Sequence, residues 1–311
     1  MPSITILKTP HIYELTEPVA DPQLPVLVFA HGWLLSRHYW QPLVELIKSD
    51  YQCLIYDARG FGESQTVVSS KSSNGLLAKS VSSEDEKLSE ASNIASYSLR
   101  AYAEDLGSLL TSLSIKHAWV VGHSLGGSVA LWAADLYPEV IRGVVCLNAG
   151  GGIYLKEEFE RFRNAGRQLV KFRPRWLTCF PFLDLIFSRM MVARPLSLKW
   201  GRQRVIDFIQ ADEKAALGAL LESTTEAEVH SLPQLVAHLT QPVYFIAGDR
   251  DQVMDIKYVN HLASFHHLFA SGDSNVFKID NCGHLGMLEA PEEVASIIKQ
   301  VLIKQKKLVE E

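Results

Sequence analysis

Long apolar runs are missing from this 311-residue sequence. None approaches the ~20 residues that a membrane-spanning helix needs. Met1–Lys8 offers neither a basic stretch nor an apolar one of leader length, so a soluble, cytoplasmic protein is expected. Cysteine is scarce, and Cys53, Cys146, Cys179 and Cys282 never stand at metal-site spacing. Three of them lie in or beside apolar segments, which predicts core thiols in a reducing compartment rather than a disulfide framework. An excess of positive charge is absent too. The 30 Lys and Arg face 35 Asp and Glu, for a net charge of -5. That argues against nucleic acid as a partner while allowing a local basic face. There are no internal repeats, and nothing in the sequence calls for a metal or a cofactor.

What is present is alternation. Residues 4–7 and 12–15 read as two short strands of an edge hairpin. Residues 25–30, 53–56, 119–121 and 243–247 are short apolar runs of the kind buried in a sheet, and 141–147 and 276–279 read as further strands. Helical periodicity occupies about 39–48, 99–113, 125–136, 256–269 and 291–304 between and after them. This predicts an α/β fold with a mostly parallel sheet covered on both sides. Two stretches interrupt it. Residues 65–96 are rich in Ser, Lys, Asp and Glu without sustained periodicity, which predicts a solvated, flexible loop. Residues 153–230 read helical throughout, so the expected organisation is a core of 1–152 and 231–311 carrying an inserted helical segment, 153–230. The first part of that insertion, residues 153–204, is dense in aromatics and holds twelve Lys and Arg against four Asp and Glu.

The stretch Gly122-His-Ser-Leu-Gly126 stands where an apolar strand gives way to helical spacing. A serine at such a strand-to-helix turn is held in a strained conformation with its hydroxyl exposed. The helix start after it supplies free N–H groups where an oxyanion would develop. Acyl transfer by serine also needs a base and an acid that orients the base. His284 follows the run at 276–279, and Asp251 follows the run at 243–247 in Gly248-Asp-Arg-Asp251. Ser124, Asp251 and His284 would all emerge at the carboxyl edge of a parallel sheet, where such folds build their sites. Asp249 and Asp280 compete with Asp251 for the acid role. A plain helix cap competes with the nucleophile role for Ser124. His31 and His123 are read as loop-holding histidines, and Asp57 and Arg59 as braces of a turn.

In combination these features resemble the α/β-hydrolase superfamily, in the branch with a helical cap inserted after the sixth strand. The resemblance rests on His31-Gly32, Asp57-x-Arg59-Gly60-x-Gly62-x-Ser64, Gly122-His-Ser-Leu-Gly-Gly127, Gly248-x-x-Asp251 and Gly283-His284 with Glu289-x-Pro291-Glu292-Glu293. It implies an eight-stranded sheet, a triad of Ser124, Asp251 and His284, and an oxyanion hole formed by the backbone N–H groups of Trp33 and Leu125. Met254 departs from the proline that many relatives carry near the acid turn.

The leading expectation is a serine hydrolase that cleaves a carboxylic ester of a small hydrophobic substrate through an acyl-enzyme. Alternatives are other chemistry on the same scaffold (carbon–carbon bond or thioester hydrolysis, perhydrolysis, acyl transfer) and a receptor that keeps the triad. The basic, aromatic insertion has three readings: snorkelling cations on a surface helix, a pocket for a long apolar chain, and contact with an anionic membrane surface.

Overall fold

The apolar runs assemble into one eight-stranded sheet in the computed structural model, which describes residues 2–65, 97–150, 156–180, 182–271 and 275–310. The strands are β1 (Ser3–Ile6), β2 (Thr9–Leu15), β3 (Val26–Ala30), β4 (Cys53–Tyr56), β5 (Ala118–His123), β6 (Ile141–Leu147), β7 (Val243–Gly248) and β8 (Val276–Ile279). Their order is β1-β2-β4-β3-β5-β6-β7-β8. β1 pairs with β2, and β2 with β4, in antiparallel fashion; every other pairing is parallel.

Two-residue alternation sends side chains to two separate cores. Val28, Val120, Val144 and Phe245 join one cluster, together with helices α2 (Leu99–Ser112) and α3 (Leu125–Leu136). Leu27, Phe29, Val121, Val145 and Tyr244 join the other, against α1 (Gln41–Ile47) and the C-terminal helix that begins at Pro291. Because the sheet is covered on both faces, polar groups that must meet a substrate are confined to the ends of its strands.

The insertion between β6 and β7 contains α4 (Lys156–Lys171), a 3-10 turn (Arg175–Cys179), α5 (Leu183–Arg189), α6 (Leu198–Gln210), α7 (Glu213–Ser223) and α8 (Glu226–His238). It is not helical throughout. Non-helical links fall near Pro174 and Pro195, where proline lacks the N–H that helix continuation requires. The helix expected over 256–269 is likewise two, α9 (Ile256–Ala263) and α10 (His267–Ala270). Buried His266 lies between them, sharing a hydrogen bond with the Gln241 carbonyl and accepting the Leu268 N–H. A short α11 (Gly286–Glu289) precedes α12 (Pro291–Glu310), which runs past the expected end near 304. Of the Ser-rich stretch 65–96, all but Gln65 lies outside the described residues.

Among the described residues no helix is long and apolar enough to cross a membrane. All four cysteines are free thiols, three buried and Cys179 exposed.

Candidate active site

Ser124 occupies the single residue between β5 and α3, at φ 52° and ψ -120°. A non-glycine residue held there costs about 1–3 kcal/mol, which surrounding contacts must offset. Its N–H donates to the Leu147 carbonyl at 3.1 Å, and its carbonyl accepts the Gly127 N–H at 2.9 Å. The turn is this sharp because strand and helix nearly touch. A Cβ on Gly122 would lie 2.2 Å from the Gly126 carbonyl oxygen, and one on Gly126 would lie 2.2 Å from that of Ala30.

His284 presents Nε2 to the Ser124 hydroxyl at 3.1 Å and Nδ1 to Asp251 Oδ2 at 2.8 Å. An ionised carboxylate only accepts, so Nδ1 carries the proton and Nε2 is left to accept from the serine. Burial pushes the Asp251 carboxyl upward, but the neighbouring His284 and the N–H groups of Val253 and Met254 outweigh it and hold the group below its ordinary range. Those two N–H groups donate to Oδ1 at 2.8 and 2.9 Å. The rival carboxylates face elsewhere. Asp249 accepts the Cys282 N–H at 3.3 Å, and exposed Asp280 pairs with Lys278 at 2.7 Å.

Three further groups brace this arrangement. Asn148, the first residue past β6, donates from Nδ2 to Asp251 Oδ2 and to the Gly283 carbonyl, both at 3.0 Å, and accepts the Gly286 N–H at 3.2 Å. His123 donates from Nε2 to the carbonyl of His284 at 2.7 Å. Burial, then the neighbouring His284, pushes its pKa down to about 3, so this ring stays neutral. Glu289 is buried, and its carboxylate accepts the N–H groups on both sides of His284. The role of Asn148 was not read from the sequence, and Glu289 entered only as part of a motif. The available signal for Asn148 was its position: it leaves a strand at the same sheet edge as the three candidates.

Trp33 follows a backbone segment that passes close to Ser124, and Leu125 is the first helical residue after the serine. A Cβ on Gly32 would lie 3.2 Å from the Ser124 Cβ, so the backbone leading into Trp33 passes close to the serine. Neither the Trp33 nor the Leu125 backbone N–H meets a protein acceptor among the described residues. Leu34 follows at φ 57°, a left-handed turn that few non-glycine residues adopt. The Trp33 indole donates to the Ala216 carbonyl of α7 at 2.8 Å, which ties the loop to the insertion.

His31, Asp57 and Arg59 lie in neighbouring braces. His31 accepts the Ala58 N–H at 2.9 Å, Asp57 accepts the N–H groups of Arg37 and Glu63, and Arg59 pairs with Asp105 at 2.8 Å. No group of three or more His, Cys, Asp or Glu among the described residues is arranged to hold a metal ion.

The sequence profile of the alpha/beta hydrolase family matches residues 27–297. The chain is 28% identical, over 90% of its length and 95% of that protein's, to 2-succinyl-6-hydroxy-2,4-cyclohexadiene-1-carboxylate synthase of Escherichia coli O1:K1. Among solved structures it is similar to a thermophilic esterase from Thermogutta terrifontis, with a TM-score of 0.67, 21% identity and 97% and 98% of the two chains covered. It is also similar to the enol-lactonase from Burkholderia xenovorans LB400, with a TM-score of 0.69, 17% identity and 97% and 100% covered. At those identities the structural likeness speaks for the fold alone. The chain belongs to the alpha/beta hydrolase family.

Proposed function

We propose that this member of the family is a serine hydrolase that cleaves a carboxylic ester of a hydrophobic substrate through an acyl-enzyme. The observation that carries the reading is the continuous relay from the Ser124 hydroxyl to His284 Nε2 at 3.1 Å and from His284 Nδ1 to Asp251 at 2.8 Å. Ser124 attacks the ester carbonyl while His284 takes its proton. The free N–H groups of Trp33 and Leu125 stabilise the oxyanion. His284 then protonates the leaving alcohol, and a water activated by the same imidazole releases the acid. Asp251 stays ionised and keeps the tautomer. His123, neutral and bonded through Nε2, holds the base loop and takes no proton.

A hydrophobic substrate is favoured by the apolar character of the insertion and of the residues next to the serine. Trp33, Leu125 and, from the insertion, Phe187 and Leu217 are partly buried apolar side chains packed against the same core cluster, to which Phe208 belongs. The helices of 153–230 serve as a cap over the site in this reading, joined to the core at Trp33 and Ala216.

A second reading is favoured by the full-length similarity to the synthase. There the same serine and imidazole would serve a reaction that forms a carboxylate-bearing product, as that enzyme's name says of its own product, without an ester being cleaved. Two measurements separate the readings. Multiple turnover of a short p-nitrophenyl ester, its loss in Ser124→Ala and an acyl adduct on Ser124 by mass spectrometry support the hydrolase. Labelling of Ser124 by a fluorophosphonate with no turnover of an acyl-chain-length series of esters would remove ester hydrolysis and leave the second reading standing.

A further inference from the structure

The insertion carries a surface that the chemistry at Ser124 does not require. Of the eighteen exposed large hydrophobic side chains among the described residues, eleven fall between Phe162 and Leu198. The most open are Phe172 at 74%, Phe182 at 68% and Trp176 at 60% exposure. Trp176 is the one exposed tryptophan of the six in the chain. The elements that carry Trp176 and Phe182 pack on a common helix. The 3-10 turn and α5 follow one another directly and both pack on α6, where Arg202 bonds the Thr178 carbonyl and lies 3.8 Å from Asp184. Scattered exposed apolar residues are ordinary, but a run of aromatics on one outward surface is not.

The charge around this surface is equally uneven. Residues 153–204 hold eight more Lys and Arg than Asp and Glu (twelve against four), in a chain whose net charge is -5. Part of that excess is structural: Arg163, Arg173 and Arg204 donate to part-buried backbone carbonyls, and Arg194 donates to the Asn281 carbonyl and pairs with Glu293. Arg161, Arg167, Lys171, Arg189, Lys199 and Arg202 are exposed in the same segment as the aromatics. Exposed aromatics in a segment rich in exposed cations suit a surface with negative headgroups over an apolar interior. A protein groove would complement the aromatics but has no general reason to match the charge.

We propose that the surface formed by the end of α4, the 3-10 turn and α5 docks on an anionic phospholipid bilayer, with Phe172, Trp176 and Phe182 entering the interface. The surface also leads to the candidate site. Met190 and Met191 close its C-terminal end, and the Met191 carbonyl accepts the His284 N–H at 2.9 Å. Docking therefore brings lipid beside the base loop, and the ester cleaved would be one drawn from the bilayer. That last step rests on the hydrolase reading; the docking does not.

The test uses the full chain carrying Ser124→Ala, so that lipid turnover plays no part. Co-sedimentation compares vesicles of phosphatidylcholine with vesicles containing phosphatidylglycerol, at ~0.1 M and ~1 M salt, where the Debye length falls from ~10 to ~3 Å. Binding is expected only to the anionic vesicles and only at low salt. Brominated lipid should then quench Trp176. Neutralising Lys171 and Arg189 with Gln should weaken binding about fivefold for each cation lost. Phe172→Ser with Phe182→Ser should weaken it further while leaving the circular dichroism unchanged. No sedimentation with either vesicle type, or equal binding to both that ignores Lys171→Gln and Arg189→Gln, overturns the proposal. So does a dimer in solution that Phe172→Ser with Phe182→Ser splits without affecting vesicle binding, since the surface then belongs to a second copy.

Discussion

Glu289 holds His284 by its neighbours on both sides: Oε2 accepts the Gly283 N–H at 2.9 Å and Oε1 accepts the Leu285 N–H at 3.0 Å. The same Oε2 accepts the N–H groups of Ala193 and Arg194 at 2.7 and 2.9 Å. One buried carboxylate therefore fixes the loop that carries the candidate base and ties it to the segment joining α5 and α6.

Glu289→Gln should slow turnover more than it weakens substrate binding. An amide has one acceptor oxygen, and its NH2 would face N–H donors. At least one buried donor is then left unpaired, at about 1–3 kcal/mol, or roughly 5- to 150-fold in the population of the poised loop. Steady-state kinetics on a p-nitrophenyl ester should give that loss in kcat with little change in KM. An unchanged kcat with only a lower Tm would restrict Glu289 to a structural role.

Asn148→Asp replaces the donor to Asp251 Oδ2, now at 3.0 Å, with a second carboxylate. Two acids at that distance cannot both ionise at their ordinary pKa. The Asp251 carboxyl, now held low, should titrate higher, and the acid limb of the kcat/KM profile should move to higher pH. Asn148 also sits at φ 47°, so Asn148→Gly, which tolerates that conformation and adds no charge, is the control. A pH profile that moves equally in both variants would mean that the added charge is not the cause.

The core was legible because a strand covered on both faces is written as an uninterrupted apolar run, as 25–30, 53–56, 119–121 and 243–247 are, while 141–147 and 276–279 each carry one exposed charged residue, Arg142 and Lys278. Ser124, Asp251 and His284 were legible for a related reason, since each follows the end of a strand within five residues. Asn148 leaves one too, but an asparagine after a strand has no chemistry of its own to mark it. The break at His266 was hidden because periodicity continues across it, and the ring that caps the second helix is held by a bond to Gln241, 25 residues away in sequence. Asp207 was hidden likewise. Nothing local in α6 says that its carboxylate will be buried against Ser36, which follows β3.

Asp207 predicts how stability depends on pH. Burial, opposed by bonds from Ser36 and Gln203, raises its pKa from 3.8 to about 7. With the folded value above the unfolded one, the folded state binds the extra proton between them. Stability should therefore be greatest below the unfolded pKa and fall as pH rises toward about 7, by an amount on the order of a few kcal/mol. Asp207→Asn should flatten that slope. Chemical denaturation at several pH values reads it directly, and an equal slope in both proteins would show that Asp207 is not its source.

Gly126→Ala should damage acylation beyond its effect on stability. The added methyl would meet backbone, the carbonyl oxygens of Ala30 at 2.2 Å and of His31 at 2.6 Å. Relief requires the start of α3 to back away from the end of β3. That motion separates the Leu125 N–H from the Trp33 N–H, the two donors assigned to the oxyanion. Gly127→Ala is the informative comparison, because its methyl meets the Ala149 side chain at 2.4 Å and leaves β3 alone. Overpacking of this kind costs about 1–3 kcal/mol in either variant. The Gly126 variant should therefore lose far more fluorophosphonate reactivity at Ser124 for a similar fall in Tm. Equal losses of reactivity in the two would mean that the spacing between β3 and α3 does not set the reactivity of the serine.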